Sequence, residues 1–134
     1  MTGPLSVYDI AGRAMSAQML RLNTTASNLA NAGTVSTTKE GAFRSLKPVF
    51  SAVTASAGVA TVRVDRVVAA ATEPTRRHAP DSPLADQNGD VWDAGVDSAA
   101  EMVEMMETAR QYQNNVQVMQ TAKTLTLDTL RIGK

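Results

Sequence analysis

Glu101, Glu104 and Glu107 recur at every third residue, which stacks three carboxylates along one side of a helix. Paired carboxylates do acid–base chemistry when burial or a like charge moves one pKa away from the other. Nothing in the sequence supplies that pressure, and Glu107 faces Arg110. The simpler reading is a solvated face whose negative charge suits a helix N-terminus. His78 is the single histidine. It follows Arg76 and Arg77 in a proline-rich stretch with no neighbouring ligand set, and reads as a solvated loop residue. Asp86, Asn88 and Asp90 have the first, third and fifth positions of a calcium loop. The sixth position needs Gly and carries Val91, and the twelfth needs Glu and carries Asp97. The stretch therefore reads as a turn, with Gly89 where a turn needs it. There is no Gly-rich phosphate loop, nucleophile elbow or Cys/His cluster. The expectation is no enzyme, no cofactor and no metal. A deep pocket around His78 and Asp81 would revive an enzyme reading.

Composition narrows the class further. The chain has 134 residues, one domain's worth, with 13 basic and 13 acidic side chains. A zero formal charge offers no basic surplus for nucleic acid or anionic lipid. It also removes the self-repulsion that keeps proteins apart, so association is tolerated. Cysteine is absent, which excludes disulfides and thiolate metal sites. The opening residues lack the basic and apolar regions of a secretory signal, so if the protein leaves the cytoplasm it must use a route that needs no cleaved signal. The longest apolar run, Val67 to Ala71, is far too short to cross a bilayer.

The charges are unevenly placed. None lies between Leu22 and Thr38, and none between Gln111 and Ala122. Both stretches are helix-patterned and written in Asn, Gln, Thr, Ser and Ala around an apolar seam. A helix facing water on its outer side carries Lys and Glu there, so these faces are expected to meet other polypeptide.

The elements can be read along the chain. Ser6 and Asp9 form a capping box, with Leu5 and Ile10 as its hydrophobic staple. A heptad seam follows: Tyr8, Gly12, Met15, Met19, Leu22, Ala26 and Leu29. Gly12 and Ala26 let a partner helix come close. The helix, over 5–32, should stop at Gly33 in the left-handed C′ position. At about 1.5 Å per residue this is a rod of roughly 40 Å. The segment 33–96 reads as extended and irregular, anchored by Phe43 and Phe50. Ala60, Val62 and Val64 alternate with polar residues as a strand, and Lys47 to Thr54 is its candidate partner. Asn88-Gly89 signals a hairpin turn of type I′, with Val91 and Trp92 on the return arm. Ser98 with Glu101 reads as a second capping box, opening a helix over 97–132. Its seam is Met102, Met105, Ala109, Tyr112, Val116 and Met119, continuing through a stutter to Leu127 and Leu130. The fold class is α+β: two long terminal helices packed as a coiled-coil-like pair, with a small β-hairpin and irregular central insertion. The whole, 1–134, is read as a single domain.

The run Ala26-Ser27-Asn28-Leu29-Ala30-Asn31-Ala32 resembles the N-terminal signature of bacterial flagellar axial proteins, the rod and hook family. Tyr112-Gln113-Asn114-Asn115-Val116, with Lys123 and the leucine-rich end, is similar to that family's C-terminal signature. Tyr8-Asp9-Ile10-Ala11-Gly12, Pro83-Leu84-Ala85-Asp86 and Glu101-Met102-Val103 resemble its small proximal-rod members most. His78, Pro80, Asp81 and Pro83 stand where the family's loop usually carries Tyr-x-Pro-Gly-x-Pro.

The resemblance implies a structural subunit of the basal-body rod, the periplasm-crossing shaft that carries torque, exported through the flagellar type III apparatus. The implied partners are copies of itself and adjacent rod proteins, and the export gate or basal adaptor at the rod's base. On this reading the assembly interface is Tyr8, Met15, Met19, Leu22, Asn28, Leu29, Asn31, Met105, Tyr112, Asn114, Asn115, Val116, Met119, Leu127 and Leu130. Uncharged amides, Gln117 among them, can bond to neighbouring subunits without burying unpaired charge. Such residues are mediocre helix formers, so the ends are expected to order on assembly. Two alternatives stay open: another small rod protein of the same family, and a helical-hairpin adaptor or chaperone that never polymerises.

Overall fold

In the computed structural model, residues 6–54 and 58–133 are described. The capping box forms as the sequence predicts: the Asp9 N–H donates to Ser6 Oγ at 3.1 Å, and the Ser6 N–H donates to Asp9 Oδ2 at 3.0 Å. Helix α1 then runs Val7–Asn31. The staple expected at Leu5 lies outside the described residues. The helix does not end on a left-handed glycine. Ala32 closes it in the right-handed region, and Gly33 is not among the positive-φ glycines, which are Gly58 and Gly89. The Asn31 carbonyl accepts both the Thr34 N–H at 3.1 Å and the Thr34 hydroxyl at 2.7 Å, so one residue satisfies the orphan acceptor.

Two small sheets fill the middle. Strands β2 (Leu46–Thr54) and β3 (Ala60–Ala69) pair antiparallel, as the alternation at Ala60–Val64 implies. Their register slips between Val49 and Phe50, leaving Asp65 as the extra residue of a bulge. Pro48 lies opposite Val67 in this two-stranded ladder, where a missing N–H can face outward. The second sheet has the order β1-β5-β4, from Val35–Ser36, Asp90–Asp93 and Thr75–His78. The return arm is Val91 and Trp92, as read from sequence. The turn is not a two-residue type I′ hairpin, because residues 79–89 separate the strands. Asp86 organises that connection: its Oδ1 accepts the N–H groups of Asn88 and Asp90 at 2.7 and 3.0 Å. Gly89 has φ +76, the left-handed geometry expected of it.

Helix α2 spans Ser98–Ile132. Its N-cap is Asp97, whose Oδ1 accepts from the Ala100 N–H at 3.1 Å. The expected Ser98–Glu101 capping box does not form, because Glu101 turns inward against α1. The two helices pack antiparallel, and β2 and β3 lie against α1. The core is thin and built of small residues: Ala11, Ala17, Thr25, Asn28 and Thr108 on the helices, Ala42, Val91 and Ala94 around the three-stranded sheet.

Candidate assembly interface

The helices meet through a polar seam. On α1 it is Gln18, Arg21, Thr25 and Asn28, stepping three, four, three; on α2 it is Glu101, Glu104, Thr108 and Gln111, with the same steps. Gln18 Nε2 donates to Gln111 Oε1 at 2.8 Å, and Arg21 pairs with Glu104 through Nε and Nη2. Asn28 is a three-way junction. Its Nδ2 donates to the Leu46 carbonyl at 2.8 Å and to Glu101 Oε2 at 3.1 Å, and its Oδ1 accepts the Leu46 N–H at 2.8 Å. One side chain thus joins α1, α2 and the start of β2.

This geometry corrects several expectations. Two of the three carboxylates on the acidic face of α2 turn inward, since Glu101 is 4% exposed and Glu104 is paired with Arg21, while Glu107 stays exposed as the sequence predicts. Glu107 accepts from Gln111 Nε2 at 3.0 Å rather than pairing with Arg110. Asn28 is 1% exposed with its amide fully engaged inside the protomer, so it cannot bond to a neighbour. Met102 is 59% exposed and lies off the intramolecular seam, because Glu101 takes the inward position beside it. His78 lies on β4, where its Nδ1 stands 2.9 Å from Asp90 Oδ1.

The apolar positions lie beside the polar seam. Met15, Met19, Tyr112 and Met119 line an open groove of about 430 Å³ together with Gly12 and Ser16. A Cβ at Gly12 would meet nothing within 4 Å, so the helix surface there is uncovered within the protomer. Tyr8 is 38% exposed, its hydroxyl 3.5 Å from Thr126 Oγ1. Leu22, Leu29, Met105, Asn115 and Val116 are half-buried. Asn31 is half-buried too, and its Nδ2 donates to the Ser27 carbonyl of its own helix at 2.9 Å. Asn114 and Gln117 are exposed, as are Leu127 and Leu130 near the end of α2. The seam residues that the sequence pattern did not single out are Gln18, Arg21, Thr25, Thr108 and Gln111, while Glu101 and Glu104 were expected on a solvated face. Their three-and-four spacing is as regular as the apolar one, and was the available signal.

The shifted carboxyls gather mainly on the sheets. His78, then Arg76, holds the Asp90 carboxyl below the usual carboxylate range. Arg77 does the same for Asp93, through bonds of 2.8 and 2.9 Å. In the two-stranded sheet, Ser51 and then Arg63 lower Asp65. The charged chemistry therefore braces the two central sheets, the collar of the molecule, and leaves long stretches of the helices neutral.

The family model described as "Flagella basal body rod protein" matches residues 9–35, which takes in most of α1 and runs on to Val35. That described as "Flagellar basal body rod FlgEFG protein C-terminal" matches residues 87–132, which is β5 and α2. A flagellar basal-body rod protein FlgC of Salmonella typhimurium is 42% identical over 132 residues, covering 97% of this chain and 98% of that protein. The FlgC of Yersinia enterocolitica is 41% identical over the same shares. That of Buchnera aphidicola subsp. Schizaphis graminum is 34% identical, again over 97% and 98%.

The chain belongs to the flagellar basal-body rod protein FlgC family.

That membership agrees with the proximal-rod resemblance and sets it apart from other small rod proteins. Together the two family matches take in both long helices.

Proposed function

We propose that this chain is a non-enzymatic structural subunit of the flagellar basal-body rod, polymerising through its terminal helices and carrying torque across the periplasm. The observation that carries the reading is the division of labour on the helix pair. Polar side chains fasten α1 to α2 inside the protomer, while the Met-lined groove and the charge-free flanks stay open. Long helices resist bending, and an apolar groove between them gives a neighbouring helix a place to pack. Neutral amides at Asn114, Asn115 and Gln117 can then bond across the contact without stranding a charge. The partners are copies of this chain and adjacent rod proteins, with the export gate or basal adaptor at the rod's base. The 134 residues act as one domain.

Met19→Glu tests this. The residue is 42% exposed in the protomer, so the substitution leaves the isolated chain folded. In a rod it would strand a carboxylate inside an apolar contact, a penalty of about 3–5 kcal/mol. The expected result is a folded protein that fails to enter basal bodies and fails to restore swimming to a bacterium lacking its own FlgC protein. Normal rods built from the variant would refute the use of this groove.

A further inference from the structure

Where α1, α2 and β2 converge, a cleft of about 280 Å³ is lined by Arg21, Thr25, Leu46, Lys47, Pro48, Phe50, Glu101 and Glu104. It is large enough for several waters or one long side chain. Glu101 is 4% exposed, and Asn28 engages its Oε2. Among the described residues no donor reaches Oε1, and no cation lies within ion-pair distance of this carboxyl. Buried charges are ordinarily paired. Arg21, the nearest cation by its place in the seam, is committed to Glu104. Lys47 is exposed at the rim and pairs with neither carboxylate among the described residues. The cleft thus offers a carboxylate oxygen, an aromatic ring and aliphatic walls from Leu46 and Pro48. That combination suits a cation on an apolar stem.

We propose that this cleft receives a lysine or arginine side chain of a neighbouring rod subunit, with Glu101 Oε1 as its acceptor. The inference rests on the rod reading above, and adds a specific contact at the foot of the collar. It adds a charged anchor to the apolar groove of the same helix pair, so docking a neighbour fixes register as well as area.

Glu101→Gln isolates the charge, because the glutamine carbonyl still accepts from Asn28. The isolated variant should melt within about 3 °C of the unaltered chain. Docking of the neighbour should weaken about tenfold or more, the size of one charge-assisted hydrogen bond. Basal-body yield and swimming in a strain lacking its own FlgC protein should fall accordingly. Lys47→Met should assemble like the unaltered chain. Normal assembly of Glu101→Gln overturns the proposal, and so does an equal loss with Lys47→Met, which would make Lys47 the cleft's own cation. A second readout covers a variant that melts earlier than expected. Glycine ethyl ester coupled by carbodiimide should label Glu101 in the isolated chain and spare it in purified basal bodies; equal labelling overturns the proposal. Failure of the unaltered chain to enter basal bodies would sink the rod reading itself, a result distinct from failure of the cleft alone.

Discussion

Asn28 does with one amide what a short stretch of strand would do with two peptides: it gives and takes a hydrogen bond at Leu46 while also donating to Glu101. Asn28→Ala removes three bonds and leaves the Leu46 peptide and the Glu101 carboxyl short of partners. The expected loss is about 2–4 kcal/mol in denaturant unfolding, with a change near zero showing that the junction contributes nothing. Gly95 is the other critical single residue. A Cβ there would stand 2.5 Å from the Thr72 carbonyl oxygen and 3.0 Å from the Glu73 carbonyl carbon and the Pro74 nitrogen. All three are backbone atoms, so Gly95→Ala should cost about 1–3 kcal/mol. By contrast Gly12→Ala, in open space, should cost the isolated chain nothing.

At the scale of elements, the start of α2 is decided by one position. Asp97→Ala should remove about 1 kcal/mol of stability, and Ser98→Ala should change little; the opposite order in thermal melts would restore the capping box read from sequence. The sequence could not separate the two, because Asp97 and Ser98 are both good caps and Glu101 stands where a box needs it. Tertiary contact with Asn28 drew Glu101 away. The three-stranded sheet is held by groups that titrate in acid. Asp90 and Asp93 have folded values below the ordinary 3.8, set by His78 with Arg76 and by Arg77. A lowered folded value means the stabilisation is present above the ordinary carboxylate range and is lost as pH falls through the folded values. Trp92 pairs opposite Arg76 in this sheet and is the chain's single tryptophan. Its fluorescence should change as the pH drops below about 4, and Asp90→Asn should flatten that acid transition. An unaltered transition in the variant would place the acid sensitivity elsewhere.

For the whole molecule, a thin core of alanines and small polar residues implies a protomer whose helix pair gains from company. The helices span 25 and 35 residues. Circular dichroism of the isolated chain should report less helix than these lengths supply, rising on assembly; full helicity in the free chain would contradict this. The sequence by itself determined the α+β class, both helices to within a residue or two, the Ala60–Val64 strand and its partner, and the neutral flanks. These follow from local signals: caps, heptads, alternation and the spacing of charge. The tertiary structure alone decided which seam closes the protomer. Apolar and polar positions both repeat every three and four residues, and hydrophobicity alone favours the apolar one as the inner contact. Packing against the β2–β3 hairpin turns α1 so that Asn28 meets Leu46, and the polar seam follows it inward against α2. The methionines are left lining an open groove, and a helix's rotation about its axis is set by its neighbours, which no local pattern contains.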